Sequence, residues 1–61
     1  MNIKYFREKA SLTQSELAER LGVTQTCVGK WETANINPRA SLVPKIAKAI
    51  NCTSYDLYKE N

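Results

Sequence analysis

The chain has 61 residues, no histidine and two cysteines, and its nine Lys and Arg against six Asp and Glu leave a net charge of +3. Such a length gives one small domain, spanning residues 1–61, near the lower limit at which an apolar core suffices without metal or disulfides. Neither a four-ligand zinc set nor a histidine base can be assembled, no apolar run approaches the roughly 20 residues that cross a bilayer, and the amino terminus lacks a signal-peptide segment. The mild positive charge suits a polyanionic partner but also an ordinary solvated surface.

In chain order, residues 2–10 carry Ile3, Phe6 and Ala10 at i, i+3 and i+7, which predicts a first helix that Asn2 can cap. Ser11 and Leu12 form a corner. Thr13 followed by Glu16 is a capping box, so a second helix starts near Gln14, with Leu17, Ala18 and Leu21 on its apolar face and Ser15, Glu19 and Arg20 left for water. Gly22 supplies the left-handed terminator, because it has no Cβ to clash. Thr24 then caps a third helix from Gln25 to Glu32.

At 100° per residue, Val28 and Trp31 of this third helix point one way, while Gln25, Thr26, Gly29 and Lys30 fan over roughly the opposite 140°. Two amphipathic helices meeting through a short glycine-containing turn describe a helix-turn-helix over residues 13–32, with small Ala18 at the expected contact. Thr33 to Ala40 lacks apolar periodicity and reads as a loop, where Asn35 can take the left-handed conformation. From Ser41 or Leu42 a fourth helix is expected, since Pro44 in its first turn removes an N–H that has no partner there anyway. Asn51 ends it, and Thr53 with Asp56 caps a final short helix carrying Tyr55, Leu57 and Tyr58. Cys27 and Cys52 read as small, core-like free thiols in a reduced compartment, although a disulfide between them is formally open.

With QSELAERLGVTQTCVGKWE as core and PKIAKAINC in support, residues 5–58 resemble the Cro and phage-repressor type of helix-turn-helix domain, the XRE family. The resemblance implies an all-α, compact five-helix, lambda-repressor-like fold whose second and third helices form the helix-turn-helix. It also implies that Arg7 and Glu32 pair across the domain as a half-buried ion pair, that Trp31 plugs the core, and that Gln14, Thr24 and the Ser41–Leu42 amides grip DNA phosphates. Ala34, where many members have glycine, departs from the pattern and leaves the loop path open.

Side-chain chemistry divides the remaining candidates into base readers and backbone anchors. Gln25 can pair with the N6 and N7 edge of adenine, Thr26 can meet a base or a thymine methyl, and Lys30 reaches a guanine edge or a phosphate. Gly29 is either tolerated or a place where backbone approaches DNA, since glycine costs a helix about 1 kcal/mol relative to alanine. Asn35, Asn37 and Arg39 extend polar reach from the loop, the asparagines equally suiting the turn itself.

The expected activity is a sequence-specific transcriptional regulator of double-stranded DNA, a repressor binding a two-fold operator. A weak homodimer would be assembled on DNA through Tyr55, Leu57 and Tyr58. An antitoxin or a restriction-modification controller shares these features, and a protein-interaction module is a more distant alternative. No enzyme chemistry, metal, cofactor, small-molecule ligand or membrane partner is expected, and the setting is the cytoplasm of a bacterium, at the nucleoid or under phage control.

Overall fold

The structure, a computed structural model, describes residues 1–34 and 36–59. Among these residues the chain is all-α: α1 (Ile3–Lys9), α2 (Gln14–Leu21), α3 (Gln25–Thr33), a 3-10 turn over Ala40–Leu42, α4 (Val43–Ala49) and α5 (Ser54–Tyr58). Helix α2 packs on α3 and on α4, α1 reaches α3, and α5 closes against α4.

Three helices begin on a threonine. The Glu16 N–H donates to Thr13 Oγ1 at 3.1 Å while the Thr13 N–H donates to Glu16 Oε1 at 2.8 Å, and Thr53 with Asp56 repeats the box at 3.1 Å in both directions. At α3 the Cys27 N–H donates to Thr24 Oγ1 at 3.3 Å. Each threonine thus satisfies a donor that the helix itself leaves free.

Three helices also end alike. Ser11, Gly22 and Asn51 follow α1, α2 and the α4 turn with φ of 61°, 71° and 57°. After each, the next N–H reaches back five residues: Leu12 to the Arg7 carbonyl (3.1 Å), Val23 to Ala18 (3.0 Å) and Cys52 to Ala47 (2.9 Å). The left-handed residue itself bonds three residues back, to Glu8, Glu19 and Lys48, which completes a Schellman motif each time. Gly22 and Asn51 fit the expected chemistry. Ser11 in this conformation was not signalled by the sequence.

The core gathers Ile3, Leu17, Val28, Val43, Ile46, Ile50 and Leu57, all fully buried, with one or more from every helix. Several expectations are corrected here. Asn2 makes no side-chain cap on α1; its Nδ2 donates to the Lys59 carbonyl, and its N–H donates to the Leu57 carbonyl at 3.0 Å, tying the start of the chain to α5. Trp31 flanks the core half-buried instead of plugging it. Leu57 is 0% exposed, so it leaves the expected dimer surface, on which Tyr55 and Tyr58 stay exposed. The 3-10 turn takes up Ser41 and Leu42, and α4 proper starts at Val43 with Pro44 in its first turn. Helix α3 leaves through Ala34 at φ −93°, and the left-handed conformation expected of Asn35 falls outside the described residues.

Candidate nucleic-acid interface

Helix α3 is held by one face and open on the other. Val28 is fully buried, and Gln25, Thr26 and Lys30 are exposed. Gln25, Thr26, Gly29 and Lys30 join Gln14 of α2 and Thr33 in lining one open depression of about 360 Å³. Four residues from one helix face therefore share a surface with the start of α2. Thr33 was not anticipated there; its hydroxyl donates to the Gly29 carbonyl at 2.8 Å.

The inner side of α3 is fixed by charge. Arg7 of α1 donates from Nε to Glu32 Oε2 at 2.8 Å and from Nη2 to Glu32 Oε1 at 3.1 Å, a two-pronged pair whose side chains are 10% and 1% exposed. Arg7 Nη1 donates to the Leu12 carbonyl at 2.7 Å, and Gln14 Nε2 donates to Glu32 Oε1 at 3.0 Å. The pair is therefore buried within the domain, deeper than the half-buried rim position. Burial pushes the Glu32 carboxyl up, but the hydrogen bonds from Arg7 and Gln14 and the charge of Arg7 outweigh it and hold the carboxyl below its usual range. The hydrogen bond to Glu32 raises Arg7 further, so both partners stay ionised at neutral pH. One carboxylate thus joins α1, α2 and α3, fixing how the outer face of α3 is presented.

On the outer side, Ser15 Oγ donates to Gln25 Oε1 at 2.9 Å, linking the first turns of α2 and α3. Sequence reading left Ser15 to water, because a contact between residues ten positions apart carries no local signal. Gln14, by contrast, spends its amide on Glu32. A Cβ built at Gly29 would meet nothing nearer than Gln14 Oε1 at 3.9 Å, so nothing inside the described residues requires glycine there.

The expected phosphate contacts are less uniform. Thr24 is exposed, with its hydroxyl engaged in the α3 cap and donating to Cys27 Sγ at 3.4 Å. Asn37, Arg39 and Ser41 are exposed, and Asn35 lies outside the described residues. Leu42 is withdrawn from the set, since its side chain is buried and its N–H already donates to the Arg39 carbonyl at 2.9 Å. Cys27 and Cys52 are free thiols; the Thr24 hydroxyl lowers the former and burial raises the latter. Among the described residues there is no cluster of metal-ligating side chains, and no helix is long and apolar enough to cross a membrane.

A capped pair of helices with an apolar inner face and a polar outer one defines a helix-turn-helix domain. The helix-turn-helix family model matches residues 3–57. The chain is 39% identical over 56 residues to an uncharacterized HTH-type transcriptional regulator of Archaeoglobus fulgidus, covering 92% of this chain and 79% of that one. It is similar to another from the same organism, at 38% over 56 residues, covering 92% of this chain and 80% of that one. A third, from Methanocaldococcus jannaschii, is 34% identical over 56 residues, covering 92% of this chain and 85% of that one. The protein belongs to the helix-turn-helix family of Cro and phage-repressor (XRE) type.

Proposed function

We propose that this protein is a sequence-specific transcriptional regulator of double-stranded DNA, a repressor that presents α3 to the major groove. The observation that carries this reading is the shared outer surface of Gln25, Thr26, Gly29 and Lys30, on a helix whose other face is locked by the buried Arg7–Glu32 pair. An amide, a hydroxyl, an ammonium and a bare backbone position are a chemically mixed set suited to base edges. Gln14, Thr24, Asn37, Arg39 and Ser41 form the phosphate-gripping set of this reading.

The whole chain acts as one domain. A module of this size buries about 600–1,000 Å² on DNA, so specificity comes from two copies on half-sites about one helical turn apart. Exposed Tyr55 and Tyr58 provide contact for a homodimer that forms weakly alone and firmly on the operator. Repression follows from occupancy of promoter DNA in the cytoplasm and needs no catalysis or cofactor.

The test is selection from a randomised duplex pool, with sequencing, for the wild type and Gln25→Ala. The expected result is a two-fold motif that loses preference at one position per half-site in the variant, with about 1–3 kcal/mol of discrimination removed. Weak, steeply salt-dependent binding with no motif, identical in the variant, would leave only phosphate attraction and end this reading.

A further inference from the structure

Resting on the base-reading role proposed for Gln25, we infer that Ser15 is a positioning residue that sets the orientation of the Gln25 amide and thereby its base preference. The Ser15 hydroxyl donates to Gln25 Oε1 at 2.9 Å. Both residues are exposed, so the contact is not imposed by packing of the core. Ser15 is itself placed by the Thr13–Glu16 capping box, which fixes the first turn of α2. Gln25 stands immediately after the Thr24 cap of α3. The bond therefore joins two well-defined helix starts.

A glutamine amide is two-ended: Oε1 accepts and Nε2 donates, and a half-turn about the last torsion exchanges them. A free glutamine samples both orientations and loses rotamer entropy when it binds. With the Ser15 hydroxyl on Oε1, the oxygen is held on the α2 side. Gln25 Nε2 retains both hydrogens, and Oε1 retains a second lone pair. That orientation matches adenine, whose N7 accepts and whose N6 donates. Guanine offers O6 where the adenine donor would be, and a fixed Oε1 has nothing to accept from it. Gln14, the other glutamine lining the depression, is occupied with Glu32 and cannot take over the task with the same amide hydrogen.

The experiment repeats the pool selection with Ser15→Ala, Ser15→Thr and Gln25→Ala, and records the Gln25 side-chain amide resonances of the free protein by NMR. Ser15→Ala is expected to cut adenine preference at the Gln25 position roughly 2- to 10-fold, the worth of one neutral hydrogen bond. Its salt dependence should stay that of the wild type, and the Gln25 amide resonances should move to those of a mobile side chain. Ser15→Thr, which keeps the hydroxyl, restores both. In the Gln25→Ala background, Ser15→Ala should have no further effect on base preference.

An even loss of affinity on all sequences with a shallower salt dependence would make Ser15 a phosphate contact and overturn the inference. So would an unchanged base preference in Ser15→Ala while Gln25→Ala loses it, an outcome that leaves the base-reading role of Gln25 standing. Absence of any motif in the wild type, or a motif untouched by Gln25→Ala, would overturn both.

Discussion

Replacing Glu32 with glutamine tests whether the internal ion pair holds the domain together. Three N–H donors converge on this carboxylate at 2.8, 3.1 and 3.0 Å, and its side chain is 1% exposed. Glu32→Gln keeps the volume but turns one acceptor oxygen into a donor facing donors, and leaves the Arg7 charge buried. Removing one partner of a buried pair costs about 3–5 kcal/mol, far more than the ~1 kcal/mol of an exposed pair. For a chain of 61 residues the total stability is about 3–9 kcal/mol, at 0.05–0.15 kcal/mol per residue. The substitution should therefore remove a third or more of it and lower the Tm by at least ~12 °C. The assay is urea unfolding followed by far-ultraviolet circular dichroism on wild type, Glu32→Gln, Arg7→Met and the double variant. The double should be less destabilised than the sum of the singles by at least about 2 kcal/mol, because it does not strand a charge. A cost below about 1 kcal/mol for Glu32→Gln, additive with Arg7→Met, would refute the reasoning and show the pair to be screened by water.

Gly29→Ala should raise the stability of the free domain by up to about 1 kcal/mol, since the added methyl meets only Gln14 Oε1 at 3.9 Å and alanine is the better helix former. If backbone at Gly29 lies against DNA, the same variant binds its selected site at least several-fold more weakly, and tighter binding in a mobility-shift titration would exclude that approach. Gly22→Ala has open space around the new Cβ but keeps φ at 71°, so calorimetry should find a loss of about 1–2 kcal/mol from conformation alone. On acidification, the lowered carboxyl of Glu32 makes its stabilisation fully present above the ordinary glutamate value of 4.5 and lost as the pH falls through the folded value. Unfolding free energies measured from pH 7 downward should thus converge for wild type and Glu32→Gln below that value, and a constant gap would contradict the assignment.

The five helices and most of their ends were legible from the chain alone, because those are set by contacts three to five residues apart. Thr13 with Glu16, Thr24, Thr53 with Asp56, Gly22 and Asn51 carry chemistry that a helix end needs wherever the rest of the chain lies. The outward group of Gln25, Thr26, Gly29 and Lys30 was legible for the same reason, as a consequence of helical pitch. Resemblance to a family added the expectation of an Arg7–Glu32 pair, but not its depth or the third partner, Gln14.

The remaining features depend on how the helices pack. Leu57 faces the core, Trp31 stops at its edge, and the Asn2 side chain bonds the Lys59 carbonyl instead of capping α1. Ser11 adopts the left-handed conformation without glycine chemistry, where the Leu12 N–H and the buried core position of Leu12 complete the motif. The Ser15–Gln25 bond joins residues ten apart, whose meeting depends on the packing of α2 against α3. Local chemistry fixes where a helix starts, stops and turns its polar face; which polar groups then meet is a property of the packed assembly, because no short-range pattern encodes the distance between helices.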